Sequence, residues 1–147
     1  MLRASAIPVS CVCLAALASC ASTSEVDSGP MYPQGVQRSE TLDIHAFRDG
    51  TRLQLTNTTA RSFGPGMLWL NGRYGYAIDG LDIGQTLHLP LSRFVDEQGR
   101  RFAAGGFFAG ERPELLALVE MTTSEPRLDG EGERAVKFGL VAVGQRR

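Results

Sequence analysis

From Leu42 onward, apolar and polar residues alternate over short runs, and Gly, Pro, Asn and Asp separate the runs. Alternation with a period of two sends successive side chains to opposite faces of an extended chain, so it predicts strands joined by tight turns. The clearest pair is residues 42–48 and 51–56 around Asp49-Gly50. Asp-Gly suits a type I′ turn, which needs positive φ at both central positions. With Arg48 opposite Thr51, Ala46 meets Leu53 and Ile44 meets Leu55 on one face. Phe47 then meets Arg52, and His45 meets Gln54, on the other.

A second hairpin is predicted at Asn71-Gly72, joining residues 67–70 to 73–78. The same exercise puts Met67 opposite Tyr76 and Trp69 opposite Tyr74, with Leu68, Leu70, Gly75 and Ala77 on the opposite face. Trp69, Tyr74 and Tyr76 are therefore a candidate ligand platform on which sugar rings could stack. The competing expectation is that the three rings fill the core with their large apolar area.

Residues 86–91 alternate again with Leu87, Leu89 and Leu91 inward, and Pro90, which has no N–H to donate, places this strand at an edge or a bend. A further hairpin is expected from 94–95 to 100–102, with Gly99 at a left-handed turn position. Residues 115–122 and 134–143 complete the strands, the latter with Val136, Phe138, Leu140 and Ala142 on one face, and a polar stretch at 124–133 lies between them. No run after Glu40 has a clear helical period, although 114–121 is apolar on both faces. The pattern predicts an all-β domain, an antiparallel immunoglobulin-like β-sandwich of seven or eight strands, with a small barrel as the alternative.

The N-terminus is different in kind. Arg3 precedes an apolar run over residues 4–17 that is too short for the roughly 20 residues of a membrane-spanning helix and has the length of an export-signal core. It closes on Leu17-Ala18-Ser19-Cys20, which resembles the lipobox of bacterial lipoproteins. The resemblance implies cleavage before Cys20, diacylation of its sulfur and acylation of the new N-terminus. Ala21 after the cysteine implies an outer-membrane lipoprotein facing the periplasm. The expected division is 1–19 signal peptide, 20–39 lipidated Cys20 and flexible tether, and 40–147 folded domain. The tether expectation rests on a stretch rich in Ser, Thr, Gly and Pro without a hydrophobic period. Cys11 and Cys13 lie in the removed segment, so the mature chain keeps one sulfur and no internal disulfide is possible. Stretches within 53–102 also resemble exported bacterial β-sandwich modules. They are Asn57, Asn71-Gly72, Gly84-Gln85-Thr86 and Phe94-Val-Asp-Glu-Gln-Gly99.

Charge narrows the function classes. The whole chain carries a formal net charge of −1 with 15 basic and 16 acidic residues. Signal removal takes away only Arg3. A mildly acidic, sign-mixed domain lacks the basic footprint of a nucleic-acid binder, so none is expected as a partner. Lys137 is the sole lysine. His45 and His88 fall on outward strand positions with no thiol to join them, short of the three or four convergent ligands of a zinc site. Asp129, Glu131 and Glu133 alternate as calcium ligands might but lack the full loop pattern. Neither Gly-x-Ser-x-Gly nor Ser-x-x-Lys occurs. The expectation is a non-enzymatic protein of the cell envelope, with no cofactor or metal, anchored to the membrane by lipid. Its role would be structural or partner-binding, with a carbohydrate- or cell-wall-binding module using the aromatic face as the alternative.

Overall fold

The computed structural model describes residues 28–107, 109–126 and 132–146. Cys20, Asp129 and Glu131 lie outside them. The described residues form seven strands: β1 (Arg38–Asp49), β2 (Arg52–Asn57), β3 (Gly66–Leu70), β4 (Tyr74–Ile78), β5 (Thr86–Pro90), β6 (Val119–Pro126) and β7 (Glu133–Arg146). A single 3₁₀ turn, Leu91–Arg93, follows β5. The all-β expectation is met.

The antiparallel immunoglobulin-like sandwich is not. All seven strands belong to one sheet in the order β4-β3-β6-β7-β1-β2-β5. The sheet curls into a half-barrel and is mixed, because β1 and β7 run parallel while every other pair is antiparallel. Alternation reports which face of a strand is buried. It does not report which strand lies alongside, or whether the buried face is covered by a second sheet or by the sheet's own curvature. The core lies on the inner face and is built from Ile44, Ala46, Leu53, Leu55, Leu68, Leu70, Met121, Phe138 and their neighbours, with Leu91, Phe94 and Phe102 folded in from the loops. Pro90 ends the strand at one edge of the order, as its missing donor requires.

Of the three predicted hairpins the first two form as strand pairs, each with a register different from the expected one, and the third is reduced to a Val95–Arg101 bridge about a turn in which Gly99 has a φ of 74°. In the first, Asp49 pairs with Arg52 and Ala46 with Leu55. The loop is Gly50-Thr51, and of these two only Gly50 has positive φ, at 55°, the demand of a type II′ turn with glycine first. The shift preserves the faces, so Ile44, Ala46, Leu53 and Leu55 stay together, and Arg48 joins them on the inner side.

In the second, Asn71 and Gly72 have φ of 53° and 64°, and the Arg73 amide donates to the Leu70 carbonyl at 3.0 Å, as expected of a type I′ turn. Arg73 is then an extra residue, because Leu70 pairs with Tyr74 and Trp69 with Gly75. One added residue exchanges the faces. Trp69 consequently faces outward, and Tyr74 and Tyr76 inward.

Residues 28–37, expected within the tether, are packed as a strap on the outer face. Gly75 makes this possible: a Cβ there would stand 2.5 Å from Pro30 Cγ and 2.8 Å from the Trp69 ring. Tyr32 meets Trp69 edge-on with centroids 5.4 Å apart, a geometry that contributes about 0.5–1.5 kcal/mol beyond area burial. The folded domain therefore begins well before residue 40.

Two substitutions check this arrangement. Gly50→Val meets no atom within 4 Å and is penalised only by its positive φ, so chemical denaturation should show a loss of about 1–2 kcal/mol. Gly75→Ala should push Pro30 and Trp69 apart, seen as a red-shifted Trp69 emission and faster proteolysis in 28–37. An unchanged spectrum and unchanged cleavage would contradict the strap.

Candidate functional site

Most of the buried polar side chains gather in four places, and each has an evident structural partner. On the outer face, Glu120 is 2% exposed and accepts from Tyr32 Oη at 2.6 Å and from Arg38 Nη2 at 2.8 Å. Lys137 Nζ donates to Tyr32 Oη at 3.1 Å and to the Pro33 carbonyl at 3.2 Å, and lies 4.6 Å from the centre of the Tyr32 ring. Trp69 Nε1 donates to Thr122 Oγ1 at 2.9 Å. The lone lysine, the tryptophan and a carboxylate from β6 thus hold the strap onto the sheet.

The second place is the turn at 96–100. Asp96, 1% exposed, accepts from Arg73 Nε and Nη2 at 3.1 and 2.7 Å, from Arg100 Nε at 2.9 Å, and from the amides of Gln98 and Arg100 at 3.0 and 2.8 Å. Burial opposes ionisation of this carboxyl, but the hydrogen bonds from Arg73, Arg100 and Gln98 outweigh it and bring its pKa from 3.8 to about 2. Arg73 is raised in turn, chiefly by its hydrogen bond to Asp96. The bulged residue of the β3–β4 hairpin is thereby tied to the following loop. A groove of about 670 Å³ runs between this turn and the strap, with Tyr32, Arg73, Asp96 and Arg100 in its walls.

The third place is Asn57 at the end of β2, fully buried. Its Nδ2 donates to the carbonyls of Arg61, Leu81 and Asp82 at 2.7, 3.3 and 3.0 Å, and its Oδ1 accepts from the Thr59 amide and hydroxyl. One side chain joins the β2–β3 and β4–β5 loops.

The fourth is Arg48, the last inward position of β1. Its Nε, Nη1 and Nη2 donate to the carbonyls of Gly50, Glu114 and Ala104 at 3.0, 2.5 and 2.7 Å, and the guanidinium lies 5.7 Å from the Phe102 ring centre. Burial lowers its pKa. Residue 114 is fixed from the other side as well. Glu114 Oε2 accepts from Tyr74 Oη at 2.8 Å, and its Oε1 accepts from Asn71 Nδ2 at 3.2 Å. Burial, with the hydrogen bond and charge of Glu114, raises Tyr74 and keeps its hydroxyl a donor. Asn71 Oδ1 also accepts from the amides of Ala117 and Leu118, which explains why 115–118, expected as strand, is an irregular arm. A second cavity, of about 660 Å³, opens beside Arg48.

The expected ligand platform is not assembled. Trp69 is 3% exposed beneath Tyr32 on one face, while Tyr74 packs edge-on against Phe102 and Tyr76 against Phe94 on the other. His45 bonds Asp43 Oδ1 at 2.9 Å, and His88 is an exposed residue of β5 opposite Gln54. Among the described residues, no group of three His, Cys, Asp or Glu side chains converges as a metal site. Sequence reasoning missed Arg48, Asp96 and Glu120. A signal existed for two of them: Arg48 shares the parity of Leu42, Ile44 and Ala46, and Asp96 opens the Asp-x-x-Gly turn. Comparison with protein families, with curated proteins and with solved structures finds no match.

The Asp96 cluster predicts a specific acid response. A carboxyl whose folded pKa lies below its unfolded value contributes stability above the unfolded pKa and loses it as pH falls through the folded one. Stability should therefore drop between about pH 4 and about pH 2. Asp96→Asn should be less stable at pH 7 and should flatten that part of the curve, measured by urea midpoints at stepped pH. An unaltered slope would show that the ion cluster contributes nothing.

Proposed function

We propose that this chain is a lipid-anchored, non-enzymatic protein of the bacterial cell envelope whose β-domain serves a structural or partner-binding role. The anchor reading rests on Leu17-Ala18-Ser19-Cys20 after an apolar run, which points to an outer-membrane lipoprotein facing the periplasm. One observation supports the non-enzymatic part. Asn57, Asp96, Glu120 and Arg48, the polar groups with the environments most like those of catalytic residues, are committed to holding loops, the strap and the 96–100 turn in place. The cell-wall-binding alternative loses its aromatic face, because the register separates Trp69 from Tyr74 and Tyr76.

Two experiments test the proposal. Cys20→Ser, expressed in a bacterial host, should appear as an unprocessed or soluble form that no longer enters the detergent phase. A shortened, acylated product from that variant would refute the anchor. Chelation of divalent metals should leave the melting temperature of the purified chain unchanged, and a reversible fall on chelation would overturn the metal-free reading.

A further inference from the structure

The charge of Arg48 is not balanced where it lies. It is 6% exposed, and its three hydrogen-bond partners are backbone carbonyls, which accept its protons without carrying an opposite charge. The other strongly buried ions differ in this respect: Asp96 has two arginines and Glu120 has Arg38, while Lys137 reaches Glu120 through Tyr32. Among the described residues, no carboxylate comes within 4.0 Å of Arg48. Its neighbour Glu114 offers only a carbonyl there, because its carboxylate is held by Tyr74 and Asn71. A guanidinium has five N–H donors. With three used, one N–H remains on each η nitrogen, open to an anion's oxygens.

The cavity at Arg48 is of a size for a small molecule, about 660 Å³ within the roughly 300–1,000 Å³ of ordinary ligand pockets. Its wall adds Arg112, which is exposed, and the apolar surfaces of Ala104, Pro113 and Leu115. The arm that carries Pro113 and Leu115 is fixed by Asn71, and the Ala104 carbonyl by Arg48 itself, so the pocket is formed in advance of any occupant.

We propose that this cavity binds a small monocarboxylate carried on a short apolar body. The carboxylate pairs with Arg48, Arg112 adds attraction at the mouth, and Ala104, Pro113 and Leu115 cover the apolar part. A single negative charge matches the single buried guanidinium; a dianion would bring a second desolvated charge with no buried partner. The inference goes beyond the anchored, non-catalytic reading and does not depend on Cys20 carrying lipid.

The test uses the full chain in detergent, titrated with N-acetyl-alanyl-alanine, with the C-terminal amide of the same compound, and with inorganic phosphate. The readout is the amide NMR signals of Gly105, Gly106 and Leu115 and the Arg48 Nε–H signal. The acid should shift these signals saturably, and the amide should not at equal concentration. Arg112→Ala should weaken the acid about threefold, the scale of one exposed charge. Leu115→Asp should weaken it by at least as much, by placing a like charge at the mouth and removing apolar cover. Both variants change exposed side chains, and their spectra away from the cavity report that the fold is kept. Equal binding of acid and amide, or binding of neither, would overturn the proposal. Phosphate binding as tight as the acid would reduce the site to an adventitious ion only. None of these outcomes bears on acylation of Cys20, so the two readings fail separately.

Discussion

A lone sheet has two faces, and curling can bury only one of them. That constraint governs the whole molecule. The inner face is closed by curvature together with the loops that bring in Leu91, Phe94 and Phe102. The outer face at β3, β6 and β7 would otherwise expose an indole, leave the Lys137 ammonium without a partner and leave the Glu120 carboxylate to Arg38 alone. The strap answers it with Pro30 over Gly75 and Tyr32 over Trp69, and the Tyr32 hydroxyl serves Glu120 and Lys137 together. Glycine at residue 75 is what lets the strap come close enough.

Much of the remaining order comes from polar atoms that lost water when the sheet closed. A buried polar group without a partner is costly, so each one dictates the position of whatever satisfies it. Asn57 sets two loops, Asn71 sets the arm at 115–118, and Asp96 sets its own turn and the side chain of Arg73. These side chains act as short-range templates for backbone that has no strand partner of its own.

The sequence made the strands legible because alternation is local. Their faces were legible in the first hairpin, where the register moved without changing parity. In the second, one bulged residue, Arg73, reversed the outcome for Trp69, and no pattern in the residues distinguishes a hairpin with that bulge from one without it. Pairing of β1 with β7 was out of reach, since nothing local links residues about 100 positions apart. Among the buried ions, the parity of Arg48 pointed inward, whereas Glu120 sits on the outer face beneath Tyr32 and Arg38, contacts no periodicity encodes.

The parallel β1–β7 pair also fixes an order of events. Among the described strands β1 comes first in the chain, and of its two neighbours only β2 follows at once; the other, β7, is the last of them. Until residues 133–146 are in place, one edge of β1 has no ladder, and β6, β3 and β4 share no backbone ladder with the β1–β2–β5 half. Closure over so long a loop is slow compared with hairpin formation. The sheet is therefore continuous only once β7 lies between β6 and β1, so the strand made last is the one that joins the two halves.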